Sequence, residues 1–489
     1  MEKQAYLDQI DAVIAAGPYA DTWDSLGRYE PPAWYRNAKF GIFIHWGVYS
    51  VPAFLDEWYP RKMYMQDNPC YAHHLKTYGP HKQFGYRDFI PMFTAPRFDP
   101  QAWAELFARA GARYVVPVAE HHDGFAMYDT QLNRFNAVKM GPKRDVLGQL
   151  FQAFEARGLV CGASSHRLEH WFFMSHGKDF DSDMPQHPKE DDLYWPSMPD
   201  PDYHRCDGEP GPDPHYLADW LARCCELVDR YRPSLVYFDW WIAHNAVKPY
   251  LRKFLAYYYN RAAQWGKQVA VNYKHEACPL GTAVPDVERG QFSQAKPYFW
   301  QTDTAIAKNS WCYTQGNDYK APEVILRDLC DIVSKNGTLL LNVGPMPDGA
   351  IGPEDTRVLE QIGAWMAVNG EAIYDTRPWR VFGEGPTRVA EGQFTDGTDK
   401  TFTPQDIRFT CAGGAVYAAV LLWPQEGSVT VRALAQANFS QPGYSGRVAQ
   451  VSVLGYDQKP QWTRDEAGLH VRAPFVQSAM PVVLKILVD

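Results

Sequence analysis

The stretch 39–47, KFGIFIHWG, holds a short apolar run that ends on a histidine, a tryptophan and a glycine. A second run of the same kind, RYVVPVAE at 113–120, leads directly into HHDG at 121–124. Continuous apolar runs of this length are typical of strands buried on both faces, as in a parallel sheet. The two segments are therefore interpreted as strands of one parallel sheet.

Similar runs recur along the chain and alternate with amphipathic helices. The other strand candidates are LVCGASS (159–165), LVYFD (235–239), VAVNYK (269–274) and TLLLNV (338–343), with 298–302 as a further one. The predicted helices cover 100–110, 146–157, 216–231, 250–265 and 322–335. This alternation favours a parallel sheet with right-handed crossovers. Six strands are clear and a barrel needs eight, so the expected (β/α)8-type barrel rests partly on the residues at the strand ends.

From about residue 377 the pattern changes to short strands separated by glycine-rich turns. They read IRFTC, AVYAAVLLW, VTVRAL, VAQVSVL, LHVRA and PVVLKILV, which predicts an antiparallel β-sandwich. We expect a catalytic domain at 1–375 and a C-terminal domain at 376–489. Residues 172–214, rich in Asp, Pro, Gly and His, predict a long excursion from the barrel. Such loops usually serve a site or an interface, and a homo-oligomer is one expectation.

Composition and charge exclude several classes of function. The 489 residues carry a net charge of −9 without a long basic run, so nucleic acid and anionic membranes are not expected partners. No apolar stretch is long enough to span a bilayer. The nine cysteines show no zinc-like pairs, and the first residues do not read as a secretory signal. We expect a cytoplasmic protein, or a secreted or periplasmic one if a signal has been removed.

Two segments match the N-glycosylation pattern, Asn336-Gly-Thr and Asn438-Phe-Ser. The first enters an apolar strand candidate, so both are interpreted as chance matches.

Several strand candidates end on polar residues, and in a barrel the carboxyl ends of the strands face the active site. Asp239 follows four apolar residues and precedes two tryptophans, which predicts a partly buried carboxylate that needs donors or a chemical role. Glu288 lies on a predicted loop after the next strand and supplies a second carboxylate. Two carboxylates from different strand ends are what glycoside cleavage with retention requires. The simpler alternative is that a strand-end Asp caps the following helix.

Other chemistries were weighed against this pattern. His45 with His121, His122 and Asp123 resembles a metal-ligand cluster, but adjacent residues of an extended segment point in opposite directions. We therefore expect no metal and no cofactor. The sequence contains neither a nucleotide-binding glycine motif after a strand nor the Gly-x-Ser-x-Gly motif of serine hydrolases.

At these residues the sequence resembles the α-L-fucosidases of glycoside hydrolase family 29. The matching stretches are WYRNAKFGIFIHWGVYSVPAF from 34, EWYPRKMY from 57, AEHHDGFAMYDT from 119, VYFDWW from 236 and LLLNVGPMPDG from 339. The resemblance covers about residues 30–375 and implies a barrel that needs no cofactor and acts on fucosylated oligosaccharides or glycoconjugates.

The resemblance also implies roles for individual residues. Asp239 matches the nucleophile, and Glu288 is chosen as acid/base, with Asp286 and Asp303 as poorer candidates. Either Trp240 or Trp241 is expected to contact the sugar, and Trp241 is the choice. Gln follows Trp300 where many members carry Trp-Glu, and His166 is expected to replace a sugar-contacting Tyr. The full set of substrate-binding residues is His45, Glu57, Trp58, His121, His122, His166, Trp241, Lys274 and Trp300.

The resulting hypothesis is a retaining exo-α-L-fucosidase that works by double displacement. One rival is a fucose-binding protein that has lost turnover, against which the presence of both carboxylates argues. The other is a retaining hydrolase for a related sugar such as L-galactose, since an apolar pocket discriminates weakly against one added hydroxyl.

Overall fold

The structure, a computed structural model, describes residues 3–397, 400–437 and 443–489. Its first part is a closed barrel of eight parallel strands that pair in chain order. The strands are β1 (Phe40–Ile44), β2 (Tyr114–Glu120), β3 (Val160–Ser165), β4 (Leu235–Phe238), β5 (Ala270–Tyr273), β6 (Val284–Glu288), β7 (Trp300–Ala305) and β8 (Gly337–Val343). The predicted (β/α)8-type barrel is confirmed.

Helices surround the barrel over most of its circumference. They are α1 (Lys3–Ala16), α2 (Trp23–Leu26), α3 (Ala33–Ala38), α4 (Tyr59–Lys62), α5 (Pro69–Thr77), α6 (Pro100–Arg109), α7 (Val146–Ala156), α8 (His170–Phe173), α9 (Pro214–Tyr231), α10 (Lys248–Trp265), α11 (Pro322–Ser334) and α12 (Pro353–Asn369). The five predicted helices match α6, α7, α9, α10 and α11. Asp99 and Asp213 each cap a helix whose first residue is proline, a pairing that favours helix initiation.

The sequence did not identify β6, and it identified β7 only in part, because both strands carry polar side chains into the barrel. The Gln301 amide accepts a hydrogen bond from the Tyr35 hydroxyl at 2.5 Å and donates one to Asp286 at 2.8 Å. Apolar periodicity therefore fails here. The connections 274–283 and 289–299, which are described throughout, contain no helix. Glu288 is the last residue of β6, which corrects its predicted position on a loop.

The C-terminal part consists of two antiparallel sheets, as predicted. The strands are β9 (Arg377–Glu384), β10 (Ile407–Ala412), β11 (Ala415–Val420), β12 (Ser428–Val431), β13 (Val448–Val453), β14 (Gln461–Asp465), β15 (Gly468–Arg472) and β16 (Val482–Val488). One sheet has the order β13-β16-β11-β10-β9 and the other β12-β15-β14. Apolar residues of both sheets form one core, with Phe409 and Leu484 from the first and Val431 and Leu469 from the second.

The two domains pack through α11. Asp331 of this helix is fully buried and forms ion pairs with Lys335 and with Arg408 of β10. The predicted boundary at 375/376 falls between the end of α12 and the start of β9. Within the described ranges, no helix combines the length and apolar character needed to cross a bilayer. Asn438, of the second glycosylation match, lies outside the described residues.

Candidate active site

A pocket of about 250 Å³ opens at the carboxyl ends of the barrel strands. Each of β1 to β6 contributes a polar side chain to it, at its last residue or just beyond. Nine of the residues predicted from the sequence line this pocket, namely His45, Glu57, Trp58, His121, His122, His166, Asp239, Lys274 and Glu288. The barrel thus brings together residues that are up to about 240 positions apart in the chain.

Asp239 is held by four donors. Its Oδ2 accepts hydrogen bonds from His166 Nδ1 at 2.9 Å and from His122 Nε2 at 3.1 Å. Its Oδ1 accepts from the Trp240 backbone N–H at 2.9 Å and from Lys274 Nζ at 3.3 Å. Burial alone would raise the pKa of Asp239, but Lys274 and the two imidazoles outweigh it and hold the pKa well below its usual range. Asp239 is therefore ionised at neutral pH.

Glu288 shares the same lysine but has the opposite electrostatic character. Its Oε2 accepts a hydrogen bond from Lys274 Nζ at 2.6 Å. Burial raises the pKa of Glu288 to about 7; Lys274 opposes this rise, and the charge of Asp239 adds to it. Since Oδ1 of Asp239 and Oε2 of Glu288 lie 3.3 and 2.6 Å from one nitrogen, these oxygens are at most 5.9 Å apart.

Three histidines of the pocket, His45, His121 and His122, are buried and uncharged. Burial lowers the pKa of His122 to about 4 and holds the pKa values of His45 and His121 well below the usual range. The His45 Nδ1–H donates to Asn342 Oδ1 at 2.7 Å, which leaves Nε2 as an acceptor. Neutral imidazoles of this kind can exchange hydrogen bonds with sugar hydroxyls.

His166 has a different task from the one predicted. Because ionised Asp239 can only accept, His166 donates to it through Nδ1. Its Nε2 is hydrogen-bonded to the Ser164 hydroxyl at 3.0 Å. With both nitrogens engaged inside the protein, His166 orients the Asp239 carboxylate and has no free nitrogen for a sugar hydroxyl.

Two sets of side chains among the described residues have a spacing that could hold a metal ion. One is His45, His121 and His166, and the other is His122, His166 and Asp239. Both sets include His166, so a metal would have to displace either Ser164 or Asp239 from an imidazole nitrogen. The donors therefore suit a hydrogen-bonding site better than a metal centre.

Glu57 and Trp58 reach the pocket from the connection between β1 and β2. Glu57 accepts a hydrogen bond from the Trp311 backbone N–H at 2.9 Å, and burial raises the pKa of Glu57 to about 7. Trp58 packs edge-on against His122, with ring centroids 5.5 Å apart. Both line the pocket, and their contacts to the sugar stay a prediction.

The structure places two of the predicted residues elsewhere. Trp241 is 2% exposed, packs edge-on against Phe172 and lies outside the pocket, whereas Trp240, the alternative, lines it. Trp300 is fully buried and is the first residue of β7, so it lies at the amino end of the barrel. Its indole N–H donates to the Lys335 carbonyl at 2.9 Å. Trp300 thus lies away from the pocket, which corrects its predicted place there, whereas Trp241 lines a second cleft beside the pocket, and its contact with the sugar stays a prediction.

Sequence reasoning also missed several residues of the pocket. These are Phe43, Tyr237, Trp311 and Phe394, and Asp303, a poorer acid/base candidate from the sequence, lines the pocket as well. The Tyr237 hydroxyl donates to Asp303 at 2.7 Å, and Asp303 Oδ2 lies 3.6 Å from Lys274 Nζ. The period-2 alternation of a strand could have identified Tyr237, two positions before Asp239. No local signal marks Trp311 or Phe394.

Comparison with known proteins matches each of the two domains to a family model. The family model described as alpha-L-fucosidase matches residues 7–371, and the model of the alpha-L-fucosidase C-terminal domain matches residues 399–486. The tissue alpha-L-fucosidase of Homo sapiens is 30% identical over 498 aligned residues, which cover 97% of this chain and 93% of that protein.

Solved structures agree with this placement. The crystal structure of Thermotoga maritima alpha-fucosidase superposes with a TM-score of 0.74 at 29% identity, covering 96% of this chain and 100% of that one. The same enzyme in complex with fucose gives a TM-score of 0.72 with the same identity and coverage. The eight-stranded barrel, the C-terminal sheets and the match over most of the sequence lead to one conclusion: the chain belongs to the α-L-fucosidases of glycoside hydrolase family 29.

Proposed function

We propose that the protein releases L-fucose from the ends of fucosylated oligosaccharides or glycoconjugates by double displacement with retention, with Asp239 as nucleophile and Glu288 as acid/base. The observation that carries the proposal is the arrangement of these two carboxyl groups around Lys274. Because both accept from Lys274 Nζ, Oδ1 of Asp239 and Oε2 of Glu288 are at most 5.9 Å apart. Inverting glycosidases keep their carboxyl groups about 6.5–9.5 Å apart, and retaining ones about 5–5.5 Å.

The protonation states support the same assignment. In the first step an Asp239 oxygen attacks the anomeric carbon, the bond to the leaving oxygen breaks, and the Glu288 proton moves to that oxygen. The four donors on Asp239 keep its carboxylate ionised for this attack. In the second step Glu288 takes a proton from water, and the water oxygen displaces Asp239 from the anomeric carbon.

The experiment that tests the proposal follows the anomer formed first. The protein is incubated with an aryl α-L-fucoside beside a panel of other aryl glycosides, and proton NMR is recorded before mutarotation. We expect cleavage of the fucoside with α-L-fucose as the first product. If the β-anomer formed first, double displacement would be excluded. If an aryl L-galactoside were cleaved faster than the fucoside, the proposed substrate would be an L-galactoside instead.

A homo-oligomer formed through residues 172–214 stays a prediction. Size-exclusion chromatography with light scattering tests it.

A further inference from the structure

A second cleft, of about 340 Å³, opens directly beside the pocket that holds Asp239. The two share Trp240, Glu288 and Phe394. Since Glu288 stands at the junction, whatever is bonded to the leaving oxygen extends into this second cleft. We call it the acceptor cleft. The rest of its wall comes mainly from the excursion after β3, with Tyr203 and Cys206, and from the 3-10 helix after Asp239.

The C-terminal domain contributes Phe394 through the loop between β9 and β10. Part of this loop packs against the end of β6 and the residues that follow it through backbone hydrogen bonds. The Phe394 N–H donates to the Glu288 carbonyl at 2.8 Å, the Asp396 N–H to the Arg289 carbonyl at 2.8 Å, and the Gly392 N–H to the Gln291 carbonyl at 3.1 Å. A Cβ on Gly290 would lie 1.9 Å from the Gly392 carbonyl oxygen, so the close approach requires glycine there.

Phe394 has a backbone conformation that a bulky apolar residue rarely adopts, and it is largely exposed to solvent. Its side chain is 64% exposed, and its φ of +56° lies in the left-handed region. Asp396, two residues on, fixes the loop by accepting hydrogen bonds from Thr304 Oγ1 at 2.6 Å and Lys320 Nζ at 2.5 Å. Such a strained, exposed residue persists only where the surrounding structure imposes it, and it points to a role in binding.

Two further aromatic rings border the same space. Tyr203 and Trp240 lie edge to face with centroids 6.0 Å apart, and Tyr203 is supported from behind by a parallel stack with Phe172 at 5.8 Å. Aromatic faces of this kind suit the apolar face of a sugar ring. Among the described residues that line the cleft, Arg205 is already paired with Asp207 through contacts of 2.9 and 3.0 Å. The cleft therefore offers no unpaired guanidinium to an anionic sugar.

We propose that the acceptor cleft binds the neutral pyranose to which the fucosyl unit is attached, and that Phe394 is a specificity-determining residue that packs on this second sugar. The inference rests on the proposed function, because it needs Glu288 at the scissile oxygen. It assigns to the C-terminal domain a direct contact with the substrate.

The test compares two leaving groups in wild-type protein, Phe394→Ala and Phe394→Tyr. One substrate is α-L-fucosyl fluoride, whose leaving group is a single atom, and the other is the neutral fucosyl disaccharide that the wild type hydrolyses fastest. The readout is kcat/KM for the disaccharide divided by kcat/KM for the fluoride. This ratio does not depend on the fraction of folded protein. Trp462→Ala, which removes a partly exposed aromatic side chain from β14, is the matched control.

We expect Phe394→Ala to lower the ratio about fivefold, as loss of one aromatic contact predicts, while Phe394→Tyr and Trp462→Ala keep the wild-type ratio. An unchanged ratio in Phe394→Ala would overturn the proposal that Phe394 packs on the second sugar in the acceptor cleft. Failure of the proposed function looks different, because the wild type would then release fucose from neither substrate.

A second measurement uses Cys206, which is exposed at the rim of the cleft, whereas the other eight cysteines are buried or half-buried. In Asp239→Ala protein, the disaccharide should slow alkylation of Cys206 by a maleimide, and free L-fucose at the same occupancy should not. If Cys206 were alkylated at the same rate in the presence of the disaccharide and of L-fucose, the assignment of the acceptor cleft to the second sugar would be contradicted.

Discussion

The ammonium group of Lys274 lies 2.6 Å from Oε2 of Glu288 and donates a hydrogen bond to it. The lysine follows β5 and the glutamate ends β6, so the contact joins neighbouring strands at the active face. Burial raises the pKa of Glu288, and this cation limits the rise to about 7. The same ammonium contacts Asp239, so one side chain sets the proton affinity of both carboxyl groups.

Replacing the nucleophile should abolish turnover and leave sugar binding intact. For Asp239→Ala we expect kcat to fall on the order of 10³-fold or more, because the covalent route loses its attacking atom. Hydrolysis of an aryl fucoside measures turnover, and calorimetry with L-fucose measures binding. Activity within about tenfold of the wild type would remove Asp239 from this role. External azide should restore part of the turnover with an inverted product.

Glu288→Gln should affect poor leaving groups most, because a general acid matters most when the departing oxygen is basic. We expect kcat/KM to fall on the order of 10²-fold for a fucosyl disaccharide and less than about tenfold for an activated aryl fucoside. Equal losses on both substrates would contradict the assignment, and Asp303 would be tested next.

The same variant tests the pH profile. Activity requires the protonated form of Glu288, whose pKa is raised to about 7, so kcat/KM should fall as the pH rises through that value. The alkaline limb should be absent from Glu288→Gln. A limb that persists unchanged would assign it to another group.

Lys274→Met should move both limbs of the pH profile to higher pH. Lys274 lowers the pKa of Asp239 and of Glu288, so its removal raises both pKa values. Lys274→Arg is the control, since it keeps the charge with different geometry. The pH dependence of kcat/KM for an aryl fucoside distinguishes the two variants. Identical pH profiles for Lys274→Met and Lys274→Arg would show that loss of the positive charge does not cause the shift.

Prolonged dialysis against EDTA should leave activity unchanged. His166 already uses both ring nitrogens, on Ser164 and Asp239, so the metal-compatible clusters are satisfied within the protein. The measurement is fucoside hydrolysis before and after chelation, with metal content determined by mass spectrometry. Loss of activity that a divalent ion restores would revive the metal hypothesis.

Asp331→Asn should destabilise the protein strongly, because it leaves Lys335 and Arg408 buried without their counter-charge. Removing one partner of such a cluster costs about 3–5 kcal/mol. The pKa of Asp331 is lowered in the folded state despite its burial, by Lys335 and Arg408. Its contribution is therefore present above the pKa of the unfolded carboxyl and is lost as the pH falls through the folded pKa. Denaturant unfolding at pH 7 and at low pH measures both effects.

Asp355→Asn is the matched control for this prediction. Asp355 is also a buried helical carboxyl, but burial raises its pKa to about 7, and no cation among the described residues lies within ion-pair distance. We expect the free energy of unfolding of Asp355→Asn at pH 7 to stay close to that of the wild type. Equal destabilisation by the two variants would mean that the ion pairs are not the cause.

Sequence patterns predicted the parts of the barrel whose strands are apolar, and they failed where the interior is polar. β1 and β8 read as continuous buried runs, whereas β6, with the sequence VPDVE, holds Asp286 against Gln301 of β7. The strand ends predicted Asp239 and its histidines because a carboxylate next to apolar residues needs donors. Trp300 was chosen from the family resemblance, while its position at the start of β7 puts it at the amino end of the barrel.

Phe394 could not be predicted from the sequence, because its location depends on backbone pairing with a segment about 100 residues earlier. No periodicity of the 385–397 segment indicates this pairing. The same holds for Trp311, which reaches the pocket because its backbone N–H donates to Glu57.

The docking of the β9–β10 loop on β6 has an evolutionary consequence. All but one of the residues that line the Asp239 pocket are encoded in the barrel, whereas Phe394, which this pocket shares with the acceptor cleft, is encoded beyond residue 376. Recombination that exchanges the C-terminal domain between two members of the family would then transfer a preference for the glycan while leaving the scissile chemistry in place. Selection for a different glycan would then act on the part of the gene that encodes the C-terminal domain, and selection for turnover on the part that encodes the barrel.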